Sequence, residues 1–257
     1  MLNIHPTAIV SSEAIIGDNV HIGAFCIIES DVTIGNGNVI HNNVIIKSGT
    51  RLGTGNTIYP FAVVAAIPQD LKFAGEYTEL FIGNKNIIRE YVTISRGTVE
   101  KNKTVIGNEC LFMANSHVGH DCILGNNIII ANSVALGGHV EIEDFVTIGG
   151  LAGIHQFVRI GKHVMIGAHS KAVKDIPPFC LFDGSPLEFQ GLNVIGLKRR
   201  LFEDKTIEQI RKAYNIIYKN SMNVSQAVNE IKNYLPQTPE LKHIVSFVEA
   251  SSRGITK

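Results

Sequence analysis

From Ile106 to Ile166 every sixth residue is large and apolar: Ile106, Phe112, Val118, Leu124, Ile130, Leu136, Ile142, Ile148, Ile154, Ile160 and Ile166. The residue four places further on is small or β-branched, from Cys110 and Ser116 through Val134 and Val140 to Val164 and Ser170. The 3.6-residue period of a helix and the 2-residue period of a strand both fail to produce this pattern, so the hexad itself is the structural unit. The same phase runs from Ile4 through Ile16, Ile28, Ile40 and Leu52 to Val64. It predicts a parallel β-helix that begins almost at the first residue and extends to about residue 180. Three sides of six residues make an 18-residue coil, with successive coils about 4.8 Å apart. Asn38 and Asn56 then share one column, as an inward amide ladder would. Glycines such as Gly107, Gly119 and Gly137 follow the apolar residue, where a tight corner is expected to need positive φ.

The pattern breaks twice, between Ala65 and Phe81 and between Gly97 and Val105, and resumes in phase at Ile82 and Ile106. Two loops are expected near 65–81 and 97–105, and loops that interrupt a rigid scaffold are where binding residues gather. Pro177-Pro178 is expected to end the repeat by removing ladder donors. Residues 190–257 read as a separate α-helical domain. Apolar residues there recur at helical spacing (Ile207, Ile210, Tyr214, Ile217; Val224, Val228, Ile231; Leu241, Ile244, Val245, Val248) and predict three short helices, the last two separated by Pro236 and Pro239.

Composition narrows the classes. The chain has 257 residues, 45% of them hydrophobic and 18% charged, with zero net charge, so it can bury a real core and has no overall pull toward nucleic acid or anionic membrane. No apolar run reaches the roughly 18 residues needed to span a bilayer, and no secretory leader is evident. The four cysteines lack CxxC pairing and read as small buried hydrophobes of a cytoplasmic protein. Lys198-Arg199-Arg200 opens the most basic stretch and is expected to face an anionic partner.

None of the ten histidines occupies an inward slot, so they are expected to point outward. His117, His120, His139 and His155 lie in consecutive central coils and concentrate groups that titrate near neutral pH. Stacking by 18 aligns His120 with Gly138 and Gln156, and Asp121 with His139. A glycine beside a candidate general base leaves open space and an unobstructed N–H, which a carbonyl becoming an oxyanion requires. Asp121, as the neighbour of His120 on a strand, is expected to face away from it. Ser116 falls in an inward slot, so direct proton abstraction by His120 fits better than a serine nucleophile.

The runs Gln69-Asp70-Leu71-Lys72, Asn115-Ser116-His117-Val118-Gly119-His120-Asp121, Ile154-His155-Gln156-Phe157 and Gly196-Leu197-Lys198-Arg199-Arg200 closely resemble the acyl-carrier-protein-dependent UDP-N-acetylglucosamine O-acyltransferases, which start lipid A synthesis. The resemblance covers essentially the whole chain. It implies a left-handed β-helix in a homotrimer with active sites between subunits, acting on acyl carrier protein and UDP-N-acetylglucosamine without a cofactor or metal. By similarity His120 is the general base toward the glucosamine 3-hydroxyl, and Gly138 is the oxyanion donor. His117, His139, His155 and Gln156 line the cleft, Asp70 and Lys72 reach in from the first loop, and Asn193, Arg199 and Arg200 hold the nucleotide and the phosphopantetheine. Ser95 and Pro186 stand where members often carry histidines, and Ala168 where a residue larger than glycine shortens the acyl chain accepted. Two alternatives stay open: N-acylation of a 3-amino sugar, and a zinc-dependent β-helix carbonic anhydrase, for which His117 and His120 have no third histidine at the required spacing.

Overall fold

A computed structural model describes residues 2–219 and 222–257. The hexads form two-residue strands, such as Leu111–Phe112, His117–Val118 and Ile123–Leu124, joined by turns. Each strand pairs in parallel with the equivalent strand one coil away, so His117 stands beside Ala135 and Ile123 beside Glu141. The result is a left-handed parallel β-helix with three sheets of 11, 9 and 8 strands, against the right-handed rule for parallel crossovers. Both inward slots are buried: Ile22, Ile40, Ile58 and Ile88 stack from the first slot, and Cys110, Ile128, Val146 and Val164 from the second.

The expected amide ladder is present and longer than anticipated. Asn56 Nδ2 donates to Asn38 Oδ1 at 3.0 Å, and Asn86 Nδ2 to Asn56 Oδ1 at 3.0 Å. A buried amide column is tolerated because each oxygen also accepts a backbone N–H from the next coil.

The glycines work differently from expectation. Gly119 and Gly137 do not have positive φ; a Cβ on either would stand 2.7 Å from backbone of the next coil. Close coil-to-coil approach selects them. Left-handed backbone falls instead on the third residue after most of the inward apolar ones, as at Asp121 (φ 59°), Asn127 (φ 55°) and His139 (φ 61°).

The two excursions are shorter than 65–81 and 97–105, because the flanking strands Val63–Ala66, Glu79–Ile82 and Lys103–Ile106 run into those ranges. Register gives their size: Thr57 pairs with Ile87 and Ile87 with Leu111, so the first adds twelve residues to a coil and the second six. Both are whole hexads, which is why the phase survives.

Pro177-Pro178 does not end the sheet. Cys180–Asp183 pairs in parallel with Met165–Ile166, and an antiparallel strand, Glu188–Leu192, covers its edge. The prolines sit at a corner, where no ladder donor is required. Four helices follow among the described residues: α1 (Val194–Arg199), α2 (Asp204–Lys219), α3 (Val224–Tyr234) and α4 (Pro239–Glu249). α3 starts at an Asn223–Gln226 capping box, and α4 at Thr238 with Pro239 in its first turn. α1 has six residues, too few to show a period. The helices seal the last coils: Tyr214 Oη donates to the Pro178 carbonyl at 2.6 Å, and His243 Nε2 lies 2.7 Å from Glu143 Oε2.

Candidate active site

The site grows from one corner of the prism. His120 and Asp121 form a turn, and the left-handed backbone of Asp121 brings its carboxylate back beside the imidazole. His120 Nδ1 lies 2.7 Å from Asp121 Oδ2. The expectation that these neighbours face opposite sides is therefore overturned, because alternation holds along a strand and not across a corner.

Asp121 is fully buried and held from several directions. The Thr98 N–H donates to its Oδ1 at 2.9 Å and the Thr98 hydroxyl to its Oδ2 at 2.7 Å. Burial alone would raise its pKa, but the donors from Thr98 and His120, with His139 nearby, hold the carboxyl below its ordinary value. It is a carboxylate at neutral pH, suited to orient the imidazole beside it.

The Nε2 edge of His120 faces Gly138. A Cβ there would stand 2.6 Å from both Nε2 and Cε1, so no other residue fits without displacing the ring. Among the described residues no backbone carbonyl takes the Gly138 N–H, while its carbonyl accepts from Phe157 N at 3.0 Å. An imidazole edge thus points at bare backbone with an uncommitted donor.

A groove of about 590 Å³ opens at this corner, lined by His117, His120, Gly138, His155 and Gln156 together with Gln69, Ser95, Ala135, Gly153 and Lys171. Its floor follows one column of outward positions: Thr93, His117, Ala135, Gly153 and Lys171. Ala135 and Gly153 leave a trough spanning two coils, and space is open above Gly153. His117 Nδ1 lies 2.7 Å from Thr93 Oγ1; burial, then the nearness of His120, lowers the His117 pKa and favours its neutral form.

Other predicted residues lie elsewhere. His139 is not outward in the sense of exposed: it is buried at the corner, stacked on Phe157 at 4.4 Å and edge-on to His120 at 5.1 Å. Asp70 and Lys72 do not line the groove within this chain; Asp70 Oδ1 accepts the Lys72 N–H at 3.0 Å, and their neighbour Gln69 reaches the groove instead. Asn193, Arg199 and Arg200 stand by a different corner. Asn193 caps α1 and donates to the His163 carbonyl at 2.9 Å, Arg200 covers the Phe145 ring at 4.3 Å, and Arg199 is exposed on α1.

Sequence reading gave no role to Thr98 and Glu100 in the second excursion, or to Gln69 and Lys171 at the groove. It noted Ser95 only as a departure, yet the Ser95 hydroxyl is buried at the groove with no hydrogen-bond partner among the described residues. The interruption at residue 97 was the available signal for Thr98 and Glu100. One group of potential metal ligands stands out as well, since a ligand atom from each of His120, Asp121 and His139 lies within 4.8 Å of the others.

Comparison with known proteins decides the family. A curated acyl-[acyl-carrier-protein]--UDP-N-acetylglucosamine O-acyltransferase from Thermodesulfovibrio yellowstonii is 46% identical over 100% of both chains. The chain belongs to this family of hexapeptide-repeat acyltransferases. A relative of the same name from Chlorobaculum tepidum is 56% identical over 96% of this chain and 94% of its own. Residues 175–256 match the family described as UDP N-acetylglucosamine O-acyltransferase, domain 2, and residues 103–138 the bacterial transferase hexapeptide. Among solved structures, the UDP-N-acetylglucosamine acyltransferase from Bacteroides fragilis superposes with a TM-score of 0.98 at 44% identity, covering 99% of this chain and all of its own. The enzyme from Acinetobacter baumannii gives 0.96 at 43%, covering 99% of each chain.

Proposed function

We propose that this chain transfers a fatty acyl group, of the 3-hydroxyacyl class, from acyl carrier protein to the 3-hydroxyl of UDP-N-acetylglucosamine; the names of its relatives give acyl-[acyl-carrier-protein] and UDP-N-acetylglucosamine as the substrates of an O-acyltransferase. The observation that carries the reading is the pairing of His120 with Asp121 on one side and Gly138 on the other, inside an open groove. His120 Nε2 takes the proton of the sugar hydroxyl as its oxygen attacks the thioester carbonyl, forming the new C–O bond. The developing oxyanion accepts from the Gly138 N–H, and Asp121 stabilises the imidazolium. When the tetrahedral intermediate collapses, the C–S bond breaks and the proton passes from His120 to the departing thiolate. His117, His155 and Gln156 bind the sugar, and the trough over Ala135 and Gly153 takes the extended donor.

Asn193, Arg199 and Arg200 act on the nucleotide or the phosphopantetheine of a site completed by a second copy, since in one chain they flank another corner. That separation supports a homotrimer with sites between subunits, each copy also supplying Asp70 and Lys72. No helix among the described residues is long and apolar enough to cross a membrane. The four free, buried cysteines support a cytoplasmic location. Family membership favours the hydroxyl over the 3-amino acceptor, and acyl transfer over the carbonic anhydrase alternative.

The test is an incubation with acyl carrier protein thioesters of graded length against UDP-N-acetylglucosamine and its 3-amino analogue. Acylated UDP-sugar with the hydroxyl acceptor is the expected product. Transfer to the amine alone, or none with any donor, contradicts the reading.

A further inference from the structure

Two imidazoles compete for one carboxylate oxygen behind the groove. Asp121 Oδ2 lies 2.7 Å from His120 Nδ1 and 3.7 Å from His139 Nε2. The two rings meet edge-on at 5.1 Å, so a modest rotation of the carboxylate exchanges one partner for the other. The pair with His120 serves the reaction proposed above; a pair with His139 does not, because His139 does not line the groove. The terminal torsion of an aspartate is broad, so Asp121 does not make the choice by its own rotamer. What holds the carboxylate from outside makes it.

That holder is Thr98. Its N–H donates to Oδ1 at 2.9 Å and its hydroxyl to Oδ2 at 2.7 Å. Two donors from one residue, one on each oxygen, fix the plane of the carboxylate as a single bond cannot. Thr98 is itself anchored. It is 5% exposed, its carbonyl accepts from the Asn102 N–H at 2.7 Å, and the neighbouring Gly97 N–H donates to the Glu79 carbonyl at 3.2 Å. On the return from the excursion, the Thr104 hydroxyl accepts the Asp121 N–H at 2.8 Å and holds the backbone as well. The competing ring has another partner in the same excursion, since His139 Nε2 lies 3.3 Å from Glu100 Oε2. The excursion thus sorts two imidazoles between two carboxylates.

We propose that Thr98 is a positioning residue of the transfer: it turns Asp121 toward His120 and away from His139, and through Asp121 it aims the imidazole at the groove. The role rests on His120 being the base of the reaction proposed above. Thr98 does not line the groove, so the six residues that the second excursion adds to its coil serve the chemistry without touching substrate. Loss of the Thr98 hydroxyl therefore lowers kcat and leaves KM for donor and acceptor unchanged.

The experiment compares Thr98→Val, which keeps the N–H and the side-chain shape but removes the hydroxyl, with Thr98→Ser, which keeps both donors. Thr98→Val should lower kcat by about 10 to 10², the scale set by a small displacement of a catalytic group, with both KM values unchanged. Thr98→Ser should turn over as wild type. In an Asp121→Ala background there is no carboxylate to turn, so adding Thr98→Val should lower kcat no further. A crystal structure of Thr98→Val should show Asp121 Oδ2 drawn toward His139 Nε2 and away from His120 Nδ1. A wild-type kcat in Thr98→Val beside a reduced one in Asp121→Ala overturns the role, as does an equal loss in Thr98→Ser. So does a Thr98→Val loss that multiplies with that of Asp121→Ala, or a His120–Asp121 pair left in place in the crystal. Wild-type turnover in both Thr98→Val and Asp121→Ala, with the carboxylate displaced, overturns the assignment of the base instead, and the positioning role with it.

Discussion

His120 Nδ1 and Asp121 Oδ2 lie 2.7 Å apart although the residues are adjacent in sequence, and left-handed backbone at Asp121 makes this possible. Adjacent side chains on a strand diverge; across this corner they converge. A carboxylate partner for the imidazole is thereby encoded as the next residue, and Thr98 from the second excursion locks it in place.

Replacing Asp121 by Asn removes the negative partner and permits the wrong imidazole tautomer. kcat should fall by about 10² to 10⁴ while KM for the UDP-sugar changes little, by analogy with carboxylates that hold a catalytic histidine. Steady-state kinetics decide this. A normal kcat would mean that the pair is structural only.

Gly138 and Gly153 share the groove but differ in what surrounds them. A Cβ on Gly138 meets the His120 ring at 2.6 Å, whereas one on Gly153 meets nothing within 4 Å. Gly138→Ala should cost about 10² in kcat, since a displacement of about 1 Å is enough for that. Gly153→Leu should raise KM for long donors several-fold with kcat for short ones preserved. Kinetics with a donor series separate the two; equal effects from both variants would mean the trough is not the donor path.

His163 is buried between Phe145 and Phe179. Burial, then the charges of Lys162 and Arg200, push its pKa down to about 4. The neutral form is the one the fold accepts, so its contribution is fully present above the unfolded value near 6.5 and is lost as pH falls from there toward 4. The loss is on the order of 3 kcal/mol at most. Thermal melts at pH 7.5 and 4.5 should show a smaller pH-dependent drop for His163→Phe, which keeps the stack without the titration. An identical drop in both proteins would assign acid sensitivity to other groups.

Arg199 and Arg200 flank a different corner from His120, which predicts complementation. A His120→Ala chain and an Arg199→Ala/Arg200→Ala chain, each nearly inactive at low substrate, should regain activity when co-expressed. Random assortment leaves about a quarter of inter-subunit sites with both sets intact. Failure to recover any activity in verified mixed oligomers would mean that one chain supplies the whole site.

The six-residue period made the prism legible, because burying two positions per hexad leaves no other regular solution. The inserted hexads were legible as breaks but not their extent, since flanking strands extend into polar sequence such as Lys103–Thr104. α1 was hidden by its length. At the site, the column of His120 and Gly138 followed from stacking by 18. The partnership with Asp121 did not, because it depends on a backbone dihedral that residue identity does not announce. Glu100 and Thr98 were equally hidden, as an excursion's contacts carry no period. His139 shows that facing away from the core is different from being exposed, since corner residues bury one another by stacking.

The most direct test of the central claim is turnover of His120→Ala with an acyl carrier protein thioester and UDP-N-acetylglucosamine, measured beside its melting temperature. A fall in kcat of about 10² to 10⁴ or more with an unchanged melting temperature is the predicted result. Wild-type turnover in that variant would contradict the assignment of the base.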